Sequence, residues 1–214
     1  MTTKEIIELV EFELKSVEWG RTEQFLEIHS PALCGDKVQI DNIVTNGNKI
    51  SVFIPVQNER FYLVINIDSN GKEIVGISTE PYVAIYFKAT STELSVDVLK
   101  RYSNLEITES WNKGDKKPYG ISIYNFSCII EPNKRPNNFE TKFNELISEL
   151  KKDKLGIPNL SNVADVYIQV AMDFHNGNGM IGGPNLNEEN IRDLNDLSLS
   201  INFDLYVSGN LYKS

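Results

Sequence analysis

His175 is the residue of this chain that could serve the widest range of chemistry, because carboxylates lie close to it in sequence. Asp173 precedes it by two residues, and Glu188 and Glu189 follow after a short loop. Imidazole nitrogens and carboxylate oxygens together bind zinc or iron. The set is incomplete, since His29, the other histidine, lies in the N-terminal part and no Cys-x-x-Cys occurs. The pattern favours a solvated loop and predicts no bound metal. It leaves a metal-dependent hydrolase around Asp173 and His175 as an alternative.

A glycine-rich segment, residues 177–182, has the spacing G-x-G-x-x-G that is typical of phosphate-binding loops. It follows a predicted strand and precedes a predicted helix, and Asp204 lies at a suitable distance in sequence to bind a ribose. In a dinucleotide site the third glycine lies in the first turn of the helix. Here Gly183 and Pro184 intervene before a helix that starts near Asn187. The segment therefore indicates a flexible loop, and no cofactor is predicted.

The sequence offers no recognisable nucleophile with its base. It lacks a Gly-x-Ser-x-Gly motif, and neither Cys34 nor Cys128 has an identifiable histidine partner in sequence. The two cysteines lie far apart in apolar surroundings, which predicts buried free thiols and fits a reducing cytoplasm. A triad assembled across the fold would leave no trace in one sequence. The residues therefore favour a protein that is not an enzyme without deciding the question, and no catalytic residue is predicted.

One predicted loop, residues 111–115 with the sequence WNKGD, combines a large aromatic with turn residues and charges. Gly114 suits a turn with positive φ, and the Asp115 carboxylate suits hydrogen bonds to nearby backbone amides. We expect Trp111 to anchor the loop on a sheet, so that truncation to alanine costs about 3 to 5 kcal/mol. The alternative is a surface that binds a partner, formed by Trp111, Lys113, Gly114 and Asp115.

The charge balance restricts the classes of partner. The 214 residues carry a formal charge of -9, and the basic residues form no long run. Phosphate backbones would be repelled, so no nucleic acid is expected. Such acidity is common among soluble bacterial proteins and mainly aids solubility, and the alternative is that the acidic surface meets a basic protein partner. No apolar stretch is long enough to cross a membrane, and the first residues lack a signal pattern. We therefore expect a cytoplasmic protein without membrane contact.

The fold class predicted from the pattern is α+β, and residues 1–81 are predicted to form a domain of one helix and an antiparallel β-meander. Apolar residues recur at helical spacing in residues 3–18, behind a capping box formed by Thr2 and Glu5. Runs rich in Val, Ile, Phe and Tyr then predict strands, with hairpin turns at Asn46-Gly47 and Asn70-Gly71. The predicted strands are 24–29, 37–44, 49–57, 60–68 and 72–79.

Residues 82–214 are predicted to form a ferredoxin-like α/β sandwich, in which helices cover one face of a mainly antiparallel four-stranded sheet. The most regular helix has Phe139, Phe143 and Leu150 on one face. Because only residues 80–82 separate the two domains, they are expected to pack against each other. The predicted strands are 83–89, 119–130, 163–174 and 201–207, and further helices cover 95–102 and begin near residue 187.

The WNKGD turn at residues 111–115 and the strand FDLYV at residues 203–207 carry a family resemblance. With an opening strand and short helix before the turn, and a long helix after it, residues 83–209 resemble the bacterial domain-of-unknown-function family 4279. Residues 1–82 lie outside the resemblance. The family implies no activity, so the resemblance adds an architecture and no function.

The function favoured by these observations is a non-enzymatic protein-interaction module of the bacterial cytoplasm. A toxin-neutralising immunity protein is one concrete form of such a module. The first alternative is a small-molecule-sensing module with a pocket between sheet and helices, or at the seam near Pro81. The hydrolase around Asp173 and His175 is the second alternative. The sequence predicts neither the identity of the partner nor the oligomeric state.

Overall fold

The computed structural model describes residues 1–116, 123, 125–179 and 181–213, which form an α+β fold, as predicted. None of the helices in these residues is long and apolar enough to span a membrane. The helices are α1 (Thr3–Ser16), α2 (Gly20–Leu26), α3 (Val96–Leu99), α4 (Phe139–Leu150), α5 (Gly156–Ser161) and α6 (Glu188–Asp196). The strands are β1 (Leu33–Cys34), β2 (Lys37–Val38), β3 (Asn42–Asn46), β4 (Lys49–Pro55), β5 (Tyr62–Asp68), β6 (Glu73–Glu80), β7 (Tyr82–Ser91), β8 (Glu109–Trp111), β9 (Phe126–Ile130), β10 (Asp165–His175) and β11 (Ser200–Ser208).

Two helices precede the first sheet, where one was predicted. The capping box is present, since the Thr2 side chain accepts from the Glu5 amide and the Glu5 carboxylate accepts from the Thr2 amide. The predicted strand at residues 24–29 is wrong, because this segment lies in α2 and the turn that follows. Phe25 is buried in the N-terminal core, and the Thr22 hydroxyl donates to the buried carboxylate of Glu13 on α1. These tertiary contacts outweigh the local strand pattern.

The N-terminal sheet is an antiparallel meander in the order β3-β4-β5-β6, as predicted. The predicted strand at residues 37–44 is wrong in extent, since β2 pairs with β1 in a separate two-stranded hairpin and β3 begins only at Asn42. Cys34 lies in this hairpin and is exposed, so the prediction of a buried thiol is wrong for Cys34 and confirmed for Cys128. A hairpin of two residues per strand is too small to cover its own side chains.

The C-terminal sheet has five strands in the order β11-β10-β7-β9-β8, rather than the predicted four. The additional strand on one edge is β8, whose three residues are too few to show an alternating pattern. From β7 to β10 the elements follow the β-α-β-β-α-β order of ferredoxin-like domains, after which α6 leads to β11. β11 runs parallel to β10, and the other neighbours are antiparallel. Of the predicted strand 119–130, only β9 and Ile123 and Asn125 lie within the described residues.

Helices cover one face of this sheet, because alternate residues of its central strands are apolar. Val83, Ile85 and Phe87 on β7 face the helices, whereas Tyr82, Ala84 and Tyr86 face the opposite side. The buried side chains that α3 to α6 contribute to the same core are Val96, Leu99, Phe139, Phe143, Leu146, Ile147, Leu150, Ile157, Leu160 and Leu194.

Pro81 is the single residue between β6 and β7, so the chain passes directly from the first sheet to the second. The four-stranded and the five-stranded sheet each have an apolar core, one formed by residues before Pro81 and the other by residues after it. A smaller cluster of Phe53, Tyr62 and Val64 packs against Tyr82 and so joins the two parts. The two parts also contact each other, for example through the Asn42 side chain, which donates to the Pro136 carbonyl at 2.8 Å. The division into domains 1–81 and 82–214 stays a prediction.

Candidate functional site

The side of the five-stranded sheet that faces away from the helices carries five aromatic side chains, which we call the aromatic face. It consists of Trp111 on β8, Tyr82 and Tyr86 on β7, Tyr167 on β10 and Tyr206 on β11. No helix of the described residues packs on it, since α3 to α6 lie on the other side. The cross-strand rows of this side are Trp111-Ser127-Thr90-Asp165, Glu109-Ile129-Lys88-Tyr167-Ser200, Tyr86-Gln169-Asn202, Ala84-Ala171-Asp204 and Tyr82-Asp173-Tyr206.

The tyrosines of the aromatic face are partly sheltered by the pleat and by their neighbours. Tyr82, Tyr86 and Tyr167 are half-buried, and Tyr206 on the outermost strand is 53% exposed. Burial raises the pKa of Tyr86 to about 12. Its phenol, which is neutral at pH 7 even at the ordinary pKa, can donate a hydrogen bond. The Arg60 guanidinium carbon lies 4.6 Å from the centre of the Tyr82 ring. Aromatic rings with polar tips, held in place by neighbours, are enriched at protein interfaces.

Carboxylates dominate the charge of this side of the sheet. Glu109, Asp165 and Asp204 are exposed on it, and Lys134 donates to the Glu109 carboxylate at 2.6 Å. Lys88 is the basic residue in the same rows, and its Nζ lies 5.9 Å from the centre of the Tyr167 ring. Asp204 is held by Gln169, whose Nε2 donates to it at 3.1 Å. The aromatic face therefore presents tyrosines and carboxylates together, which suits a partner that supplies basic groups.

The predicted WNKGD turn has the expected backbone chemistry. Gly114 has φ of 96°. The Asp115 carboxylate accepts from the Asn112 amide at 2.8 Å, and the Gly114 amide donates to the Ile123 carbonyl at 2.8 Å. Trp111 itself ends β8 and is half-buried on the aromatic face, outside the core beneath the helices. Lys113 is exposed at the turn, so the predicted surface of Trp111, Lys113, Gly114 and Asp115 adjoins the aromatic face and stays a prediction as a binding site.

His175 lies at a junction between the two halves of the chain, where it meets His29. Their Nε2 atoms are 3.1 Å apart, although 146 positions separate the residues. The rings of Phe61 and Tyr212 pack against His175 at centroid distances of 4.7 and 5.0 Å. We call this cluster, with Asn210, the histidine junction. Placing His29 far from His175 because it belongs to the N-terminal part is therefore wrong, since folding brings the two together.

The backbone of Asn210 fixes the protonation of the histidine junction. Its amide donates to His29 Nε2 at 3.3 Å, so that nitrogen carries no proton. His175 Nε2 lies 2.9 Å from the Asn210 carbonyl and therefore carries the proton that this contact requires. The His29 ring is then neutral, and burial lowers the pKa of His29 and of His175 from the ordinary value, which favours the neutral form of both rings. The arrangement joins two parts of the chain and leaves neither Nε2 free to bind a substrate.

The structure does not assemble the metal set considered from the sequence. The Asp173 carboxylate accepts from the Ser208 hydroxyl at 2.7 Å, and Glu188 and Glu189 are exposed on α6, on the helical side of the sheet. Within the described residues no three or more His, Cys, Asp or Glu side chains are grouped as metal ligands need to be. In the glycine-rich segment, Gly182 precedes the first residue of α6 by six positions, so it lies outside the first helical turn. Met180 lies outside the described residues.

A cleft of about 600 Å³ lies at the seam between the two sheets and includes Pro81 in its wall. The N-terminal sheet contributes Phe53 and Asn66, and the C-terminal part contributes Phe139 and Phe174. Its volume is that of a small-molecule pocket. Polar side chains at the rim include Asn46, Lys49, Glu80, Asn137, Asn138 and Glu140.

The sequence contains a signal for the aromatic face in the alternation of β7, outside the motifs described above. Tyr82, Ala84, Tyr86 and Lys88 alternate with the apolar residues of β7, and such alternation places them on the side away from the core. The histidine junction had no comparable signal, because contacts over such a separation follow from the tertiary fold alone.

A comparison with protein families gives one match. The model of a family described as a domain of unknown function (DUF4279) matches residues 80–208, which is more than half of the chain. The match extends from the last residue of β6 to the last residue of β11, so it contains the whole five-stranded sheet. No curated protein and no solved structure matches the chain.

Proposed function

The chain belongs to the domain-of-unknown-function family 4279, and we propose that it is a non-enzymatic protein-interaction module that binds its partner through the aromatic face. One observation carries the proposal: no helix of the described residues covers a sheet face with Trp111, Tyr86, Tyr167 and Tyr206 on it. Tyr82, at the end of this face, packs against Phe53, Tyr62 and Val64 of the N-terminal sheet. Tyrosine and tryptophan bury large areas at low conformational entropy when a partner binds, because their side chains have few rotatable bonds.

Charge indicates the chemistry of the partner. The exposed carboxylates of Asp165 and Asp204 lie among the aromatic rings, and the whole chain has a formal charge of -9. A basic protein surface would gain from both features, through faster association and through charge-assisted hydrogen bonds. An immunity protein that neutralises a basic toxin of bacterial origin, in the cytoplasm, is one form that this module could take.

The test is a binding measurement on the partner captured by the intact chain from a bacterial lysate. The double variant Tyr167→Ala and Tyr206→Ala removes one half-buried and one exposed ring and leaves the core beneath the helices unchanged. We expect it to bind the partner about thirtyfold more weakly, or weaker still. Leu155→Ala, at an exposed apolar residue before α5, is the matched control and should bind like the parent. A captured partner that binds the double variant as tightly as the parent would contradict the aromatic face as its site.

The cleft at Pro81 supports a second candidate function, the binding of a small molecule. Both halves of the chain contribute walls to it, so a ligand there would bridge them and stabilise the native state. Asn66→Ala removes a polar group of the wall. Asn133→Ala is its control, because Asn133 lies in the loop between β9 and α4 and does not line the cleft. A metabolite that raises the unfolding temperature of the parent and of Asn133→Ala, but not of Asn66→Ala, would support this candidate. A shift that is unchanged in Asn66→Ala would place the ligand elsewhere.

A further inference from the structure

β11 forms one edge of the five-stranded sheet, and among the described residues nothing pairs with its outer side. The strand is nine residues long, and most of its side chains are exposed. Phe203, Leu205 and Val207 lie on the helical side, where they are 39%, 50% and 52% exposed. A row of free backbone amides and carbonyls beside exposed apolar side chains is a template for another strand.

The other sheet edges of the molecule are protected in ways that β11 is not. β8 has three residues and β3 has five, so neither offers a long edge. β6 carries Glu73 and Glu80 at its ends and an irregular register beside Asn66. β11 has no lysine, no proline and no bulge, and its one charged residue is Asp204. Because soluble proteins usually protect exposed edges, this exception points to an edge that is covered in use.

We propose that a second copy of this chain covers β11, by antiparallel pairing of the two β11 strands around a twofold axis at Leu205. A twofold axis that relates antiparallel neighbours in one sheet is perpendicular to the sheet, so residues opposite each other come from the same face. The axis must therefore lie midway between one residue of β11 and the same residue of the second copy, so that these two residues face each other. At Leu205, the pairs are Leu205 with Leu205, Phe203 with Val207, and Asp204 with Tyr206.

The other registers are less favourable. An axis at Phe203 or Tyr206 would place one of the three apolar side chains opposite a residue outside β11, and an axis at Val207 would place two of them there. An axis at Asp204 would keep all three inside the strand but would set the two Asp204 carboxylates directly opposite each other, and like charges in that position destabilise a sheet. Leu205 therefore gives the register in which apolar side chains meet apolar ones and the carboxylate meets a phenol.

The joined sheet would have ten strands. Because the axis is perpendicular to the sheet, both aromatic faces would lie on the same side, with Tyr206 of each copy near the contact. The self-association uses the edge of β11 and includes Tyr206, whereas Trp111, Tyr86 and Tyr167 of the aromatic face lie on β8, β7 and β10 outside the contact. It therefore goes beyond the proposed function and does not depend on a partner at the aromatic face.

Cysteine cross-linking tests the register, in a Cys34→Ser background that removes the exposed native thiol. Opposite residues of antiparallel strands have Cα atoms about 4.5 to 5.5 Å apart, a distance that a disulfide spans. We expect Leu205→Cys to form a covalent dimer on mild oxidation and the single variant Phe203→Cys to form little, whereas Phe203→Cys with Val207→Cys should cross-link. A stronger cross-link at Asp204→Cys than at Leu205→Cys would overturn the register.

Light scattering tests the association itself. The parent should have twice the mass of the 24.3 kDa chain. Leu205→Lys, which places two ammonium groups opposite each other, should weaken association about a hundredfold or more, since the symmetric contact is altered twice. Val75→Lys makes the same type of change at an exposed apolar residue of the β6 edge and should leave the dimer intact. A monomeric parent, or a Leu205→Lys variant that stays dimeric, would overturn the proposal, and neither outcome bears on partner binding at the aromatic face.

Discussion

The outer edge of β11 leads within two residues to Asn210 of the histidine junction, and the two regions differ in what covers their apolar side chains. At the junction, Phe61 is buried and contacts rings from both halves of the chain, His29 and His175. On β11, Phe203 is partly exposed, although its ring lies 6.3 Å from that of Phe139. The junction is thus completed within the chain, whereas the edge is not. At the histidine junction an aromatic residue stabilises the monomer, whereas on the edge of β11 it remains available for another molecule.

Truncation of one phenylalanine in each region should separate them most clearly. We expect Phe61→Ala to lower the free energy of unfolding by about 3 to 5 kcal/mol, because a fully buried ring is lost and leaves a cavity. Phe203→Ala should cost about 1 kcal/mol or less in the monomer, because much of its ring is already in water. Urea denaturation of both variants in the monomeric Leu205→Lys background gives the two values. Equal losses in the free energy of unfolding would contradict the claim that the monomer covers Phe61 more completely than Phe203.

Gly209 connects the two regions, and its substitution should have the second largest effect. It has φ of 82°, and an added Cβ would lie 2.7 Å from Phe61 Cε1 and 3.0 Å from His29 Cε1. Gly209→Ala should therefore destabilise by about 1 to 3 kcal/mol through backbone strain, with a further loss from the displaced rings. Gly114→Ala is the matched control, since φ is 96° there and nothing lies within 4 Å of the added atom. Thermal unfolding measures the loss of stability in both variants. Equal losses would refute close packing at the junction.

Trp111 lies between the two extremes, because its ring is half-buried and outside the core. We expect Trp111→Ala to cost about 1 to 2 kcal/mol, less than the 3 to 5 kcal/mol that anchoring in a core would give. The same variant should weaken a partner held by the aromatic face. Denaturation and binding measured together decide its role: a large stability loss without a loss of binding would make it an anchor alone.

The pH dependence of stability should depend on the histidine junction. The pKa of His29 and of His175 is lowered in the folded state, so below their ordinary pKa, about 6.5, the unfolded chain binds protons that the folded chain does not. The stabilisation is complete above pH 6.5 and falls as the pH decreases toward the lowered values. Unfolding free energies at pH 7.5 and pH 5.5 should therefore differ more in the parent than in a variant with His29→Gln and His175→Gln. A double variant with an unchanged pH dependence would show that other groups cause it.

Periodicity was sufficient for the elements that bury one regular face. α4 begins and ends at the residues that the apolar spacing of Phe139, Phe143 and Leu150 indicates, and the meander of the first sheet follows from alternating runs and turn residues. α2 was not predictable in this way, since Phe25 and its neighbours read as a strand until α1 supplies Glu13 as a partner for Thr22. β8 is too short to have a period.

The candidate sites were predictable to different degrees for a related reason. The Asp115 turn is local, and its hydrogen bond to Asn112 spans three residues, so turn chemistry was enough. The pairing of His29 with His175 needs the positions of both sheets and of Asn210, and no local pattern contains that information. The position of β11 as an unpaired edge likewise depends on strand order, which the alternation of its side chains does not determine.

The contacts of Asn210 also mean that the histidine junction can form only late in the synthesis of the chain. Its amide and side chain bond to His29 and to the Ile28 carbonyl, which leave the ribosome 181 and 182 residues earlier. The core of the first sheet consists of residues before Pro81 and can form while the rest of the chain is still being made. Until Asn210 emerges, His29 Nε2 has no backbone donor from that residue and Phe61 no covering from Gly209. A nascent chain stalled before that point would expose this patch to chaperones and proteases, whereas a chain that already contains Gly209 and Asn210 can close it.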